Sequence, residues 1–72
     1  MNLEKFLSKE YPYYIEKSKK VLVEHTLQSD FRFKDLNELS VFETVLGWNN
    51  LSEAKTIARN YNGTVKIFVK KV

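Results

Sequence analysis

The sequence predicts an α+β domain, and three stretches carry that reading. Over residues 51–61, Leu51, Ala54, Ile57, Ala58 and Tyr61 recur at helical spacing between a capping asparagine and a glycine. Beyond the glycine, Val65, Ile67 and Val69 alternate with Lys66, Phe68 and Lys70, as in a strand with one face on a core. Upstream, Val21, Val23, His25 and Leu27 alternate with Lys20, Leu22, Glu24 and Thr26, again with a period of two. The expected architecture is an N-terminal helix, an antiparallel strand meander, then a helix and a final strand, with the helices packed on one face of a single sheet.

Taken in order, Leu3, Phe6, Leu7 and Tyr11 fall on one face of a short helix that Asn2 could cap. Pro12 ends or kinks it, because proline lacks an amide hydrogen and clashes with the preceding turn. Residues 13–18 then read as a second short helical piece with Pro12 in its first turn. A strand follows over 20–27, a turn at Gln28, Ser29 and Asp30, and a second strand over 31–34, with a helix capped by Asp30 as the competing reading. A turn near Asn37 and Glu38 leads into a β-branched and aromatic stretch, 41–48, with Phe42, Thr44, Leu46 and Trp48 on one face. The helix over 51–61 has Asn50 as N-cap and Glu53 three residues on, a capping-box pattern, and Gly63 is placed for a left-handed C-terminal cap. A strand, crossover helix and strand is normally right-handed, so strands 40–48 and 64–71 are expected to run parallel if they share the sheet.

With 72 residues the chain forms one domain, 1–72, with one core. A domain of this size buries only about 60% of the surface its unfolded chain exposes, so a homodimer or a partner would add materially to stability. Hydrophobic residues at 43% and charged residues at 29% are ordinary globular proportions. The absence of cysteine removes disulfides, thiolate zinc sites and a thiol nucleophile, and fits a cytoplasmic location. No run approaches the ~18 apolar residues of a membrane span, and the first residues lack the basic start and apolar run of a signal peptide. The net charge of +3 comes from ten lysines and two arginines against nine acidic residues. Such a bias attracts nucleic acid, anionic lipid and acidic protein alike.

Catalytic chemistry finds little to build on. His25 is the only histidine, and no nucleophile motif accompanies Ser18, Ser29 or Ser40 as its partner; the simpler reading is a structural strand residue. The carboxylates are scattered among lysines in the manner of a solvated face. Gly47 and Gly63 stand far apart, outside any phosphate-cradling loop. Two nucleic-acid-binding folds fail at their signatures: the last helix opens Leu51, Ser52, Glu53, Ala54, Lys55 where a double-stranded-RNA-binding domain needs a lysine cluster, and Lys66, Ile67, Phe68, Val69 lack the glycine and aromatics of an RNA-recognition strand. No cofactor or metal is expected.

Two surfaces are candidates for binding. Tyr11, Tyr13 and Tyr14 are followed by Lys17, Lys19 and Lys20, a mixture able to anchor a protein interface or to stack bases and hold phosphates. Arg32, Lys34, Lys66, Lys70 and Lys71 would form a second patch if the strands carrying them were neighbours. Trp48 is expected to seal the core, with an interface anchor as the alternative. The sequence therefore points to a small non-enzymatic protein-binding module, an inhibitor or modulator of the kind a phage or mobile element directs at a host protein. Its binding residues would be the tyrosines and lysines of 11–20 and its partner a protein with an acidic surface. The alternative is a sequence-tolerant nucleic-acid-binding domain using the same segment.

Overall fold

Pro12 marks the point at which the chain leaves helical geometry. A computed structural model describes residues 3–69. In it the N-terminal helix shrinks to one 3₁₀ turn, Leu3–Lys5, with the amides of Phe6 and Leu7 both donating to Leu3 O at 2.9 Å; Asn2, its expected cap, lies outside the described residues. Proline disfavours helical geometry in the residue before it. Only about two turns are then left, too few to hold without tertiary support. One turn is enough to lay Leu7 on the sheet with Leu3 and Phe6 beside it.

The helical piece expected over 13–18 is instead strand β1, Tyr13–Lys17. Tyr13, Tyr14 and Ile15 favour the extended chain, and β1 is needed as the partner of two other strands. Pro12 sits just ahead of the strand, where its carbonyl accepts from Phe68 N at 2.7 Å and no N–H is required of it. β2, Lys20–His25, and β3, Asp30–Lys34, form where the alternation places them. A capped 3₁₀ turn, Leu36–Glu38, leads to β4, Glu43–Val45, then α1, Leu51–Asn60, and β5, Thr64–Ile67.

The five strands make one antiparallel sheet in the order β3, β2, β1, β5, with β4 also on β2. β1 and β4 share one edge of β2: Glu16 and Lys17 pair with Val21 and Lys20, and farther along Val45, Thr44 and Glu43 pair with Val23, Glu24 and His25. β4 and β5 therefore run antiparallel, against the expectation for 40–48 and 64–71. The chain reverses after β4, around Gly47, where an added Cβ would come within 2.6 Å of Leu7 Cδ2 and 2.8 Å of Tyr11 O. The parallel relation survives only at Trp48, which bridges Tyr13 on one edge while Ile67 pairs with it on the other, both antiparallel to it.

Two apolar clusters cover the sheet. Val21, Val23 and Val45 gather with Leu7, while Ile15 and Leu22 gather with Ala58 of α1. Because neighbouring strand residues point to opposite faces, the clusters lie on opposite sides. The N-terminal turn and α1 are thus divided between the two faces. Leu22, which shares a face of β2 with Lys20 and Glu24, is fully buried in the cluster that Phe33 and α1 complete. In β4, Glu43 and Val45 are buried and Phe42 is exposed, while Leu46 and Trp48 pack on the Ile15, Leu22 and Ala58 cluster.

α1 starts where the spacing predicts and shifts only at its C-terminal end. Asn50 Oδ1 accepts from Glu53 N at 3.1 Å. At the other end the left-handed residue is Asn62, φ 57°, and not Gly63. Asn62 N and Gly63 N donate to Arg59 O and Ala58 O at 3.3 and 2.8 Å, the two bonds of a Schellman cap. Of the predicted stripe, Ala54 and Ala58 are buried and Ile57 half-buried, while Leu51 and Tyr61 stay at the rim. Two small residues let the helix axis approach the sheet closely, so its larger neighbours flank the contact.

Candidate binding surface

β1 distributes the predicted tyrosine and lysine residues over several surfaces. Tyr13 lies on the same face as Ile15, toward α1, with its backbone paired to Trp48 in both directions at 3.1 and 2.9 Å. Tyr14 takes the opposite face and packs against the Leu7, Val21, Val23 and Val45 cluster. Burial pushes its phenol pKa up, and the negative charge of Glu16 on the same face adds to the effect. Tyr11 precedes the strand and is 49% exposed. The three tyrosines thus occupy separate environments.

The lysines do come together. Lys17 and Lys20 are directly opposed across the β1–β2 hairpin, and Lys19 occupies its two-residue turn. All three are exposed. Like charges directly opposite one another are unfavourable, and the turn adds a second local cost: Ser18 and Lys19 have φ of 51° and 66°, where asparagine and glycine are the usual residues. Lys17 Nζ stands 5.7 Å from the centre of the Phe33 ring, a cation–π contact that orients it on the α1 side. The hairpin tip is therefore a fixed point of positive charge, about 13 Å along β1 from Tyr13 at ~3.3 Å per residue.

The second basic patch does not form. β3, with Arg32 and Lys34, and β5, with Lys66, stand at opposite ends of the strand order, and Lys70 and Lys71 lie outside the described residues. Arg32 is engaged by Asp30 at 2.6 Å and by Gln28 Oε1 at 2.6 Å. Trp48 is half-buried and packs on the Ile15, Leu22 and Ala58 cluster. His25 ends β2, accepting from Gln28 N at Nδ1 over 3.3 Å, with its ring 6.1 Å from that of Phe42. Among the described residues no three of His, Cys, Asp and Glu gather in a group that could hold a metal ion. Nor is any helix among them long and apolar enough to cross a membrane.

Glu43, read as one of the scattered solvated carboxylates, is buried in β4 across from His25. The Val41, Glu43, Val45 alternation was the available signal, since it puts Glu43 on the same side as a core valine. Its Oε1 accepts from Ser40 N at 2.9 Å and lies 3.5 Å from Lys34 Nζ, while Oε2 has no partner. The Ser40 amide holds the carboxyl below the ordinary glutamate range; burial opposes this and Lys34 assists. A carboxylate with a depressed folded-state pKa stabilises the fold fully above its unfolded value, and this contribution is lost as pH falls through the folded value. Thermal stability of the wild type should therefore fall as pH drops below the usual glutamate pKa of roughly 4.3 and through the lower folded-state value. Glu43→Gln should flatten that part of the profile, and an unchanged slope would show that Glu43 does not carry it.

A second surface was not read from the sequence. α1 and β5 border a groove of two adjoining hollows, of about 410 and 250 Å³, that share Lys55 and Val65. One is lined by Arg59, Gly63 and Thr64, the other by Tyr13, Leu51 and Ile67. No family model, curated protein or solved structure matches the chain.

Proposed function

We propose that this protein is a non-enzymatic binding module that occupies a surface of another protein and so inhibits or modulates it. The carrying observation is the β1–β2 hairpin tip. Three exposed lysines are held together there by a turn whose two central residues both have unfavourable positive φ, and two of the lysines face each other across the strands. Local costs of this kind concentrate at functional sites, where surrounding structure maintains them. The tip would meet an acidic surface, with exposed Tyr11 supplying apolar contact from the other end of β1. The nucleic-acid reading draws on the same lysines, because three clustered positive charges also suit phosphates.

The two readings separate by experiment. The tagged protein is used to capture partners from a lysate of the source cell, with and without nuclease, and association with the captured partner is then timed. A protein partner retained after nuclease is expected. Replacing Lys17, Lys19 and Lys20 together by Gln should slow its association by about three- to tenfold and flatten the salt dependence, with little change in dissociation. Tyr11→Ala should mainly speed dissociation. Capture abolished by nuclease, with affinity falling steeply as salt rises, would replace the protein-binding reading with the nucleic-acid one. Wild-type kinetics in the folded lysine variant would remove the hairpin tip from the interface.

A further inference from the structure

β5 is an edge strand, and its outer side is open. Phe68 N donates to Pro12 O and β5 pairs with β1 in regular antiparallel register, Lys66 opposite Tyr14 and Ile67 opposite Tyr13. In an antiparallel ladder alternate residues direct both backbone groups to the same neighbour. Phe68, Lys66 and Thr64 therefore address β1, and the N–H and C=O of Val65 and Ile67 face outward. No strand among the described residues pairs with that side. Natural edges are usually short, charged or covered. Here Lys66 is the only charged residue of the strand, and the edge carries Ile67 and Val69 at 58% and 74% exposure.

The groove beside this edge has a chemical polarity. Toward the start of β5 it is lined by Lys55 and Arg59 of α1, and toward the end by Leu51, Tyr13 and Ile67. Lys55, Arg59 and Lys66 line it, and no acidic residue does. A helix beside an open strand edge, with pockets for alternate side chains, is the geometry in which extended peptides bind by strand addition.

We propose that the groove between α1 and β5 receives an extended acidic segment of a partner protein as a sixth strand. Its backbone pairs with Val65 and Ile67. A carboxylate side chain points to Lys55 and Arg59, and an apolar side chain two positions away points to Leu51 and Ile67. Strand periodicity fixes that spacing, because only alternate residues share a face. Charge complementarity selects the occupant: Lys55 and Arg59 on the α1 side of the groove and the net charge of +3 disfavour a second copy of this chain and favour an acidic one. The inference shares with the proposed function only the premise that the partner is a protein, and it uses none of the hairpin lysines.

The test is titration of the isotopically labelled protein with the six-residue peptide Glu-Thr-Val-Thr-Glu-Thr, its ends blocked, which puts glutamate and valine two positions apart on one strand face, followed by amide chemical shifts. A peptide with lysine replacing each glutamate is the control. The glutamate peptide is expected to shift the amides of Val65 and Ile67 and those of α1 around Lys55, and the lysine peptide to leave them unmoved. Ile67→Pro removes an outward N–H without touching the ladder to β1 and should abolish binding. Lys55→Glu with Arg59→Glu should weaken the glutamate peptide by about tenfold or more and admit the lysine peptide, since like charges then face each other. This second variant keeps the test decisive should Ile67→Pro fail to fold. Shifts confined to the hairpin tip, or equal affinity in the charge-reversed protein, would overturn the groove as the site while leaving the hairpin reading intact. A dimer in sedimentation that the glutamate peptide does not dissociate would also overturn it, by showing that a second copy takes the edge. Unchanged partner binding in the hairpin variant, with the peptide still seated on β5, would count against the hairpin and for the groove.

Discussion

Leu22→Ala is expected to cost about 2 to 5 kcal/mol, the range for truncating a buried leucine in a core that closes only partly around the gap. Leu22 is wholly inaccessible and sits in the central strand, where its side chain joins Ile15, Ala58 and the half-buried Phe31, Phe33 and Trp48. Its backbone is equally committed, since Leu22 pairs with Phe33 on one edge and its carbonyl accepts from Leu46 N at 3.1 Å on the other. Neighbours fixed on both edges cannot move in to fill the vacated volume, which favours the upper half of the range. A chain of 72 residues has a total stability of roughly 4 to 11 kcal/mol at ~0.05–0.15 kcal/mol per residue, so the loss is a large share of it. Urea unfolding by circular dichroism measures this directly. A loss below about 1 kcal/mol would mean that Leu22 is not the core residue its burial indicates.

Gly63→Ala is expected to destabilise by about 1 to 3 kcal/mol, through overpacking and not through backbone conformation. The φ of Gly63 is not positive, so alanine meets no Ramachandran penalty there. The obstacle is space: the new Cβ would stand 2.5 Å from Ile15 Cγ2, 3.1 Å from Phe33 Cζ and 3.3 Å from Glu16 O. Ile15 is fully buried and β-branched, hence stiff, so its methyl cannot swing aside. The contact can be isolated with a double-mutant cycle. In an Ile15→Ala background the cost of Gly63→Ala should fall toward zero, because the methyl it strikes is gone. An equal cost in both backgrounds would sink the steric account and return the explanation to the helix cap.

What the sequence made legible was whatever local periodicity alone determines. α1 carries its own start signal in Asn50 and its own period in Ala54, Ile57 and Ala58, and both are where the spacing put them. β2, β3 and β5 likewise announce themselves by alternation. The failures share a cause, namely partners distant in sequence. Residues 13–18 look helical after Pro12 until β5, some fifty residues on, supplies a ladder that only an extended β1 can use. Leu22 reads as the odd apolar residue on a polar face because nothing within β2 reveals that α1 will cover that face. Glu43 resembles the other acidic residues until β4 turns it inward beside Ser40 and Lys34. For the candidate surface, the lysines of the hairpin were legible because they flank one turn. The α1–β5 groove was not, since its apolar and basic linings come from Tyr13, a helix and a strand that meet only in the folded molecule.

The placement of β1 between the first hairpin and the last strand has a kinetic consequence. β1 shares just two register pairs with β2 but four with β5. During synthesis on a ribosome, β2 and β3 can zip together as soon as both emerge, because their five pairs join neighbouring segments. β1, although made earlier, must wait with Ile15 and both tyrosines unsheltered until β5 leaves the exit tunnel. Long loops of this kind close slowly. The nascent chain therefore passes through a stage in which its first strand is a sticky, unpaired segment, the species that chaperones recognise and that aggregation starts from.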